Sequence, residues 1–347
     1  MENLRRYLNV IRKMDLQDEK KISEALKLKG LYENSNSFPL SSLHFELTES
    51  CNAYCKHCYN VSGNNIKADR MTPASWVDFS KYIVEKGGVF ECLLSGGEPL
   101  LLGNYLFDIM DILSDDGTIF LLMSNGFLLT KEVVTKLKNY MYHWLQLSID
   151  GSSSAYHDDF RGLRGSWDKV IKAAQYVSSA DIPLKIAHCV TPGNIDDIDE
   201  MCSLAYSLGA KSIMMGGISL SGRVAGNRSL LLSEVEKEIL KDKVKTNKEK
   251  YNSKMQVKLT NSVKEGLLRH AKRPRSGIII RPNGDMRIDG MAPFVIGNVL
   301  DDDFENIWTQ KIDTCWNDER VVEYIKGYND NDNNINHINY GGPDTLL

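Results

Sequence analysis

Three cysteines stand close together in the run Glu49-Ser50-Cys51-Asn52-Ala53-Tyr54-Cys55-Lys56-His57-Cys58-Tyr59-Asn60. Spacings of four and then three residues let one short loop aim three sulfurs at a common point. A cubic iron–sulfur cluster takes a protein ligand at each iron. A loop that offers only three leaves one iron open to a substrate or cofactor. Such a site suits chemistry rather than electron storage.

Two structural readings compete with this. A zinc knot would take His57 as its fourth ligand and form a Cys3His set. His57 lies between Cys55 and Cys58, however, so its ring would have to fold back on the same tight loop. A disulfide is disfavoured by the odd total of seven cysteines and by an opening segment unlike a secretory signal. Both features predict a reducing, cytoplasmic setting.

A second feature lies some forty residues on. Ser95-Gly96-Gly97-Glu98-Pro99 follows the run Phe90-Glu91-Cys92-Leu93-Leu94. Two glycines and a carboxylate at a strand end make an open backbone edge that can accept hydrogen bonds from an amino group. Together with the cysteine loop, this resembles the radical S-adenosylmethionine (SAM) superfamily. The resemblance implies that Cys51, Cys55 and Cys58 hold one [4Fe-4S] cluster, whose open iron is chelated by the methionine part of SAM. It also implies that Gly96, Gly97 and Glu98 line the methionine amino group.

Further along come Ser148-Ile149-Asp150-Gly151, then Tyr156-His157-Asp158-Asp159-Phe160-Arg161-Gly162, then Gly165-Ser166-Trp167-Asp168. This ordered string resembles the peptide-maturing and sulfatase-maturing branch of the superfamily. The resemblance sets Ser148 near the SAM ribose and Arg161 on the SAM carboxylate, a pairing that suits a guanidinium fork. Asp150 is expected at the strand mouth, where it either meets ribose or substrate or orders the following turn. Asn125 either lines the cavity or belongs to an ordinary Ser-Asn-Gly turn. Tyr59 packs on the cluster, on adenine or in the core. His157 reads as a residue that orders its loop. Cys92, Cys189 and Cys202 read as small buried hydrophobes.

These residues need a scaffold that sets them side by side. From about Ser42 strand and helix patterns alternate: strands over Leu43–Thr48, Val89–Ser95, Thr118–Ser124, Trp144–Ile149, Leu184–Val190 and Ser212–Gly216, with helices between. This rhythm predicts an α/β fold, a partial (β/α)6 TIM-like barrel over 42–230 with its site at the strand C-terminal ends. Residues 1–41 read as a helical cap that either closes the barrel bottom or recruits a peptide leader.

Residues 231–328 open with a Lys- and Glu-rich helical stretch and continue to a hairpin about Pro282-Asn283-Gly284. They resemble the SPASM or twitch extension of the same branch, whose cysteines bind auxiliary clusters. Here Asp289 stands where the post-hairpin cysteine is expected, and Cys315 is the one cysteine after Cys202. A degenerate extension without an auxiliary cluster is predicted. Residues 329–347, rich in Asn and Asp, read as a mobile tail.

The 347 residues suffice for one large domain and an appendage, with 42% apolar and 25% charged residues and a net charge of −4. Nothing in this balance predicts a basic face for nucleic acid. No apolar run approaches the roughly 20 residues of a membrane span. The resemblance implies an enzyme that cleaves SAM to a 5′-deoxyadenosyl radical with an electron from flavodoxin or ferredoxin. That radical takes hydrogen from a substrate carbon. The expected substrate is a ribosomally made peptide, to be cross-linked, epimerised or oxidised, with a separate leader-binding protein as a conceivable partner. Alternatives are dehydrogenation or rearrangement of a small metabolite, and a non-catalytic zinc-binding protein. Cys315 is a candidate hydrogen-atom donor or simply a buried thiol.

Overall fold

The computed structural model describes residues 24–25, 27–28, 40–63, 69–328 and 344–347. The helical segments expected within 1–41 lie almost entirely outside them.

Apolar residues alternate along the first strands, so one face of each strand turns toward helices. In β1 (Leu40–Glu46), Leu43 and Phe45 enter the main core, while Ser42 and His44 face the other way and line a cavity. Helix α1 (Pro73–Lys86) starts where predicted: Thr72 accepts from the Ser75 N–H and Pro73 occupies the first turn. Its Trp76 is fully buried and donates to the Leu47 carbonyl at 2.9 Å. The helix thereby fixes the point where β1 runs into the cysteine loop.

The same unit repeats through β2 (Val89–Ser95), β3 (Ile119–Ser124), β4 (Tyr142–Ser148), β5 (Leu184–Val190) and β6 (Ser212–Gly217). Between them come α2 (Asn104–Asp115), α3 (Lys131–Leu137), α4 (Ser154–Arg161), α5 (Ser166–Ser179) and α6 (Ile198–Ser207). Neighbouring strands pair in parallel and in chain order. All their C-terminal ends, with the turns singled out above, therefore lie along one rim.

Beyond β6 the chain does more than expected. After α7 (Glu234–Lys250), β7 (Gln256–Leu259) adds a further parallel strand to β6. The hairpin forms as predicted from β8 (Ile279–Ile280) and β9 (Asp285–Arg287), but β8 also pairs in parallel with β1. With β10 (Phe294–Asn298) and β11 (Thr345–Leu346), the described residues form one eleven-stranded sheet running from β7 to β11.

Part of the stretch read as a mobile tail is thus ordered strand. Asp344 lies 3.3 Å from both Arg281 and Arg287 in a buried ion cluster, which fixes the chain where β11 begins. Among the described residues, no helix is long and apolar enough to cross a membrane.

Candidate active site

The cysteine loop leaves β1 at the rim and is held from two sides. On the β2 side, Gly97 N–H donates to the Thr48 carbonyl at 2.6 Å and Glu98 N–H to the Ser50 carbonyl at 3.0 Å. A Cβ on Gly97 would collide with the Ser50 carbonyl, so glycine is what lets the two strand ends lie against each other. The N–H groups of this edge are spent on the loop itself; reception of an amino group is a matter for its carbonyl oxygens.

The Glu98 carboxylate turns inward. It accepts from Ser124 Oγ at 2.9 Å, from the Asn125 N–H at 2.8 Å and from the Leu100 N–H at 3.3 Å. Burial pushes its pKa up to about 7 despite these donors. Asn125 completes the bridge: its Nδ2 donates to Asn52 Oδ1 at 2.7 Å and approaches Cys51 Sγ at 3.8 Å. The Ser-Asn-Gly turn of β3 thus reaches the cysteine loop.

On the far side, α4 docks beneath the loop. Tyr54 and Lys56 donate backbone N–H groups to the carbonyls of Arg161 and Phe160. The Arg161 side chain is buried and forms an ion pair with Asp150 at 2.6 Å, and its Nη1 donates to Cys55 Sγ at 3.7 Å. Asp150 is wholly buried and also accepts from the Cys189 N–H at 2.8 Å. Burial alone would raise the Asp150 pKa, but Arg161, His57, His188 and the Cys189 N–H together outweigh it and hold the carboxyl at about 2. Asp150 thus follows the C-terminal end of β4 at the rim, with its carboxylate paired to Arg161 beside the cysteine loop. His157 accepts from the Asp150 N–H through Nδ1 and orders this corner.

A third hold comes from a residue that pattern alone does not single out. After β6, Arg223 Nη1 donates to the Cys55 carbonyl at 2.8 Å, its Nη2 to the Ser62 carbonyl, and its guanidinium lies 3.7 Å over the Tyr54 ring. Gly222 precedes it at φ 50°, packed so closely on Cys58 and Tyr59 that a side chain would strike their carbonyls. The available signal was Ser221-Gly222-Arg223, another glycine turn soon after a strand end.

The three sulfurs fit a thiolate-ligated group. Each accepts an N–H: Cys51 from Ala53 at 3.4 Å, Cys55 from Arg161, and Cys58 from Ser62 at 3.3 Å. Donors of this kind orient metal-bound thiolates. His57, the fourth ligand of the zinc alternative, lies flat on Phe160, centroids 4.6 Å apart and 6° between planes. Among the described residues, no three His, Cys, Asp or Glu side chains converge as they would on a single ion.

The remaining expected residues are placed as follows. Ser148 ends β4 in register with Ala187. Tyr59 donates to the buried Glu46 carboxylate, on the wall of the inner cavity. Cys315 belongs to the main apolar core and donates to the Ile312 carbonyl, whereas Cys51 and Cys55 form a separate cluster.

A parallel, barrel-like sheet with a three-cysteine loop at the mouth of its first strand defines a class, the radical SAM proteins. The chain carries a domain of that class: the radical SAM superfamily pattern matches residues 45–205. The superfamily binds SAM and a [4Fe-4S] cluster. The chain is 34% identical over 166 residues to an AdoMet-dependent heme synthase of Methanosarcina barkeri, covering 48% of this chain and 47% of that protein. It is 31% identical over 194 residues to the antilisterial bacteriocin subtilosin biosynthesis protein AlbA of Bacillus subtilis, covering 54% and 42%. The chain thus spans about half the length of these relatives. In fold it resembles Streptococcus suis SuiB bound to SAM, with a TM-score of 0.64 at 16% identity over 86% of this chain and 71% of that one. SuiB has also been solved with its precursor peptide SuiA.

Proposed function

We propose that this protein is a radical SAM enzyme that modifies a ribosomally made peptide. The observation that carries the reading is the loop of three sulfurs, each receiving an N–H, held at the strand rim by Glu98–Asn125, Arg161–Asp150 and Arg223. In it, Cys51, Cys55 and Cys58 hold one [4Fe-4S] cluster. That cluster with SAM supplies reductive cleavage to a 5′-deoxyadenosyl radical.

The chain's own residues bind and orient. Gly96, Gly97 and Glu98 receive the methionine amino group, whose positive charge returns the Glu98 carboxyl to its ionised form. Arg161 remains charged beside Cys55 and offers the rest of its fork to the SAM carboxylate. Ser148 and Asn125 border the nucleotide. Asp150 serves as the group that holds Arg161 in place.

Residues 42–230 form the core of the enzyme in this reading, and 231–328 the extension that covers its flank. Asp289 occupies the position where a cluster cysteine is expected and Cys315 is buried, so the extension works without an auxiliary cluster. The electron comes from flavodoxin or ferredoxin in the cytoplasm. Support for a peptide substrate comes from the subtilosin biosynthesis relative and from the likeness to SuiB. The heme synthase relative favours a second reading, in which a small metabolite is dehydrogenated or rearranged.

The test is direct. Reduced, reconstituted protein is incubated with SAM and a deuterated candidate precursor peptide encoded beside its gene. Deuterium in 5′-deoxyadenosine and a mass change in the peptide are expected. Deoxyadenosine formed while every such peptide stays unchanged would overturn the peptide assignment and favour the small metabolite.

A further inference from the structure

The face of β1–β3 that turns away from the helices bounds a cavity of about 420 Å³, well within the range of small-molecule sites. Leu93 and Leu121 form one wall, and Ile279 and Ile288 from the C-terminal hairpin form the opposite one. Polar side chains also line it, among them His44 and Tyr59, which are already engaged. His44 Nε2 bonds Ser95 Oγ at 2.5 Å, and Tyr59 donates to Glu46.

His270, near the end of α8 (Val263–Lys272), differs. Its Nδ1 lies 2.7 Å from Asp289 Oδ2, and Asp289 Oδ1 accepts the Met291 N–H at 2.7 Å. In the neutral tautomer, a carboxylate on Nδ1 keeps the ring proton there and leaves Nε2 as a lone-pair acceptor. Among the described residues, no hydrogen bond engages that nitrogen. The cavity is therefore lined by Leu93, Leu121, Ile279 and Ile288, with the Ser42 and Ser276 hydroxyls and the half-exposed imidazole of His270 among its polar groups.

We propose that this cavity binds an apolar, ring-sized group that ends in a hydroxyl or N–H donor, and that His270, oriented by Asp289, receives that donor. As the pocket for the substrate's reacting side chain, it rests on the function proposed above. As a binding site, it stands without that function.

Equilibrium dialysis of the reconstituted protein against p-cresol and toluene tests it, because the two probes differ only in the donor. Saturable p-cresol binding is expected, roughly tenfold tighter than toluene, the worth of one hydrogen bond of about 1.4 kcal/mol. His270→Phe should bind both probes alike, and Leu121→Trp, which fills the cavity, should bind neither. Absence of p-cresol binding to the unaltered protein, or an undiminished preference in His270→Phe, overturns the proposal. If Leu121→Trp fails to fold, the His270→Phe comparison still decides it.

Deoxyadenosine formation, measured on the same preparations, separates this outcome from the fate of the proposed function. No deoxyadenosine with p-cresol still bound removes the function and leaves the site. Deoxyadenosine without p-cresol binding does the reverse.

Discussion

Glu98 is the residue whose chemistry is most exposed to test. With its pKa raised from 4.5 to about 7, it binds a proton more readily in the folded than in the unfolded chain. Its contribution to stability is therefore fully present below 4.5 and is lost as pH rises through about 7. The difference in urea midpoint between the unaltered apo-protein and Glu98→Gln should shrink against the unaltered protein over that interval; a constant difference would contradict the buried carboxyl. Glu98→Gln should also weaken SAM binding by roughly tenfold or more, the worth of a charged hydrogen bond, as read by calorimetry. Asp150 has the opposite sign. Its pKa, lowered from 3.8 to about 2, makes its stabilisation complete above 3.8 and lost as pH falls toward 2. Asp150→Asn strands the buried Arg161 charge and should cost about 3–5 kcal/mol in urea unfolding; a loss within error of zero would show that the pair is not buried as described.

The strand-end elements divide into those that local pattern reveals and those that it does not. The cysteine loop, the Gly-Gly-Glu-Pro turn and the Ser-Asn-Gly turn are legible because each function is written in consecutive residues. Thr72-Pro73 likewise marks the start of α1 by its own capping chemistry. The grip of Arg223 on Cys55 is not legible, since it joins residues far apart in sequence and depends on how the rim closes in space. Strand β7 is not legible for another reason: in Gln-Val-Lys-Leu only Val257 is buried, so there is too little alternation to read. The pairing of Asp150 with Arg161 is also beyond pattern, because only the fold brings the two within reach. At this scale Arg223→Ala should leave the fold intact yet lower the iron retained per chain after gel filtration, with Arg223→Lys restoring part of it. Equal iron in all three proteins would remove the clamp from the account.

For the whole molecule, the joint between barrel and extension is electrostatic as well as hydrogen-bonded. Glu46 on β1 approaches Arg281 at 3.3 Å, and Arg281 and Arg287 share Asp344. All four side chains are nearly or wholly buried. Breaking such a set from one side leaves uncompensated charge, so Asp344→Ala should cost about 3–5 kcal/mol and speed amide exchange in β8–β11. Unchanged exchange there would mean that the sheet alone holds the extension. The central claim, that the rim of this sheet presents three thiolates to an iron cluster with one open corner, is tested most directly by Mössbauer spectroscopy and iron analysis of anaerobically reconstituted protein. The account predicts about four irons per chain, with one iron site perturbed when SAM is added, and no bound iron once Cys51, Cys55 and Cys58 are all alanine. Iron that persists in the triple variant, or a spectrum indifferent to SAM, would contradict it.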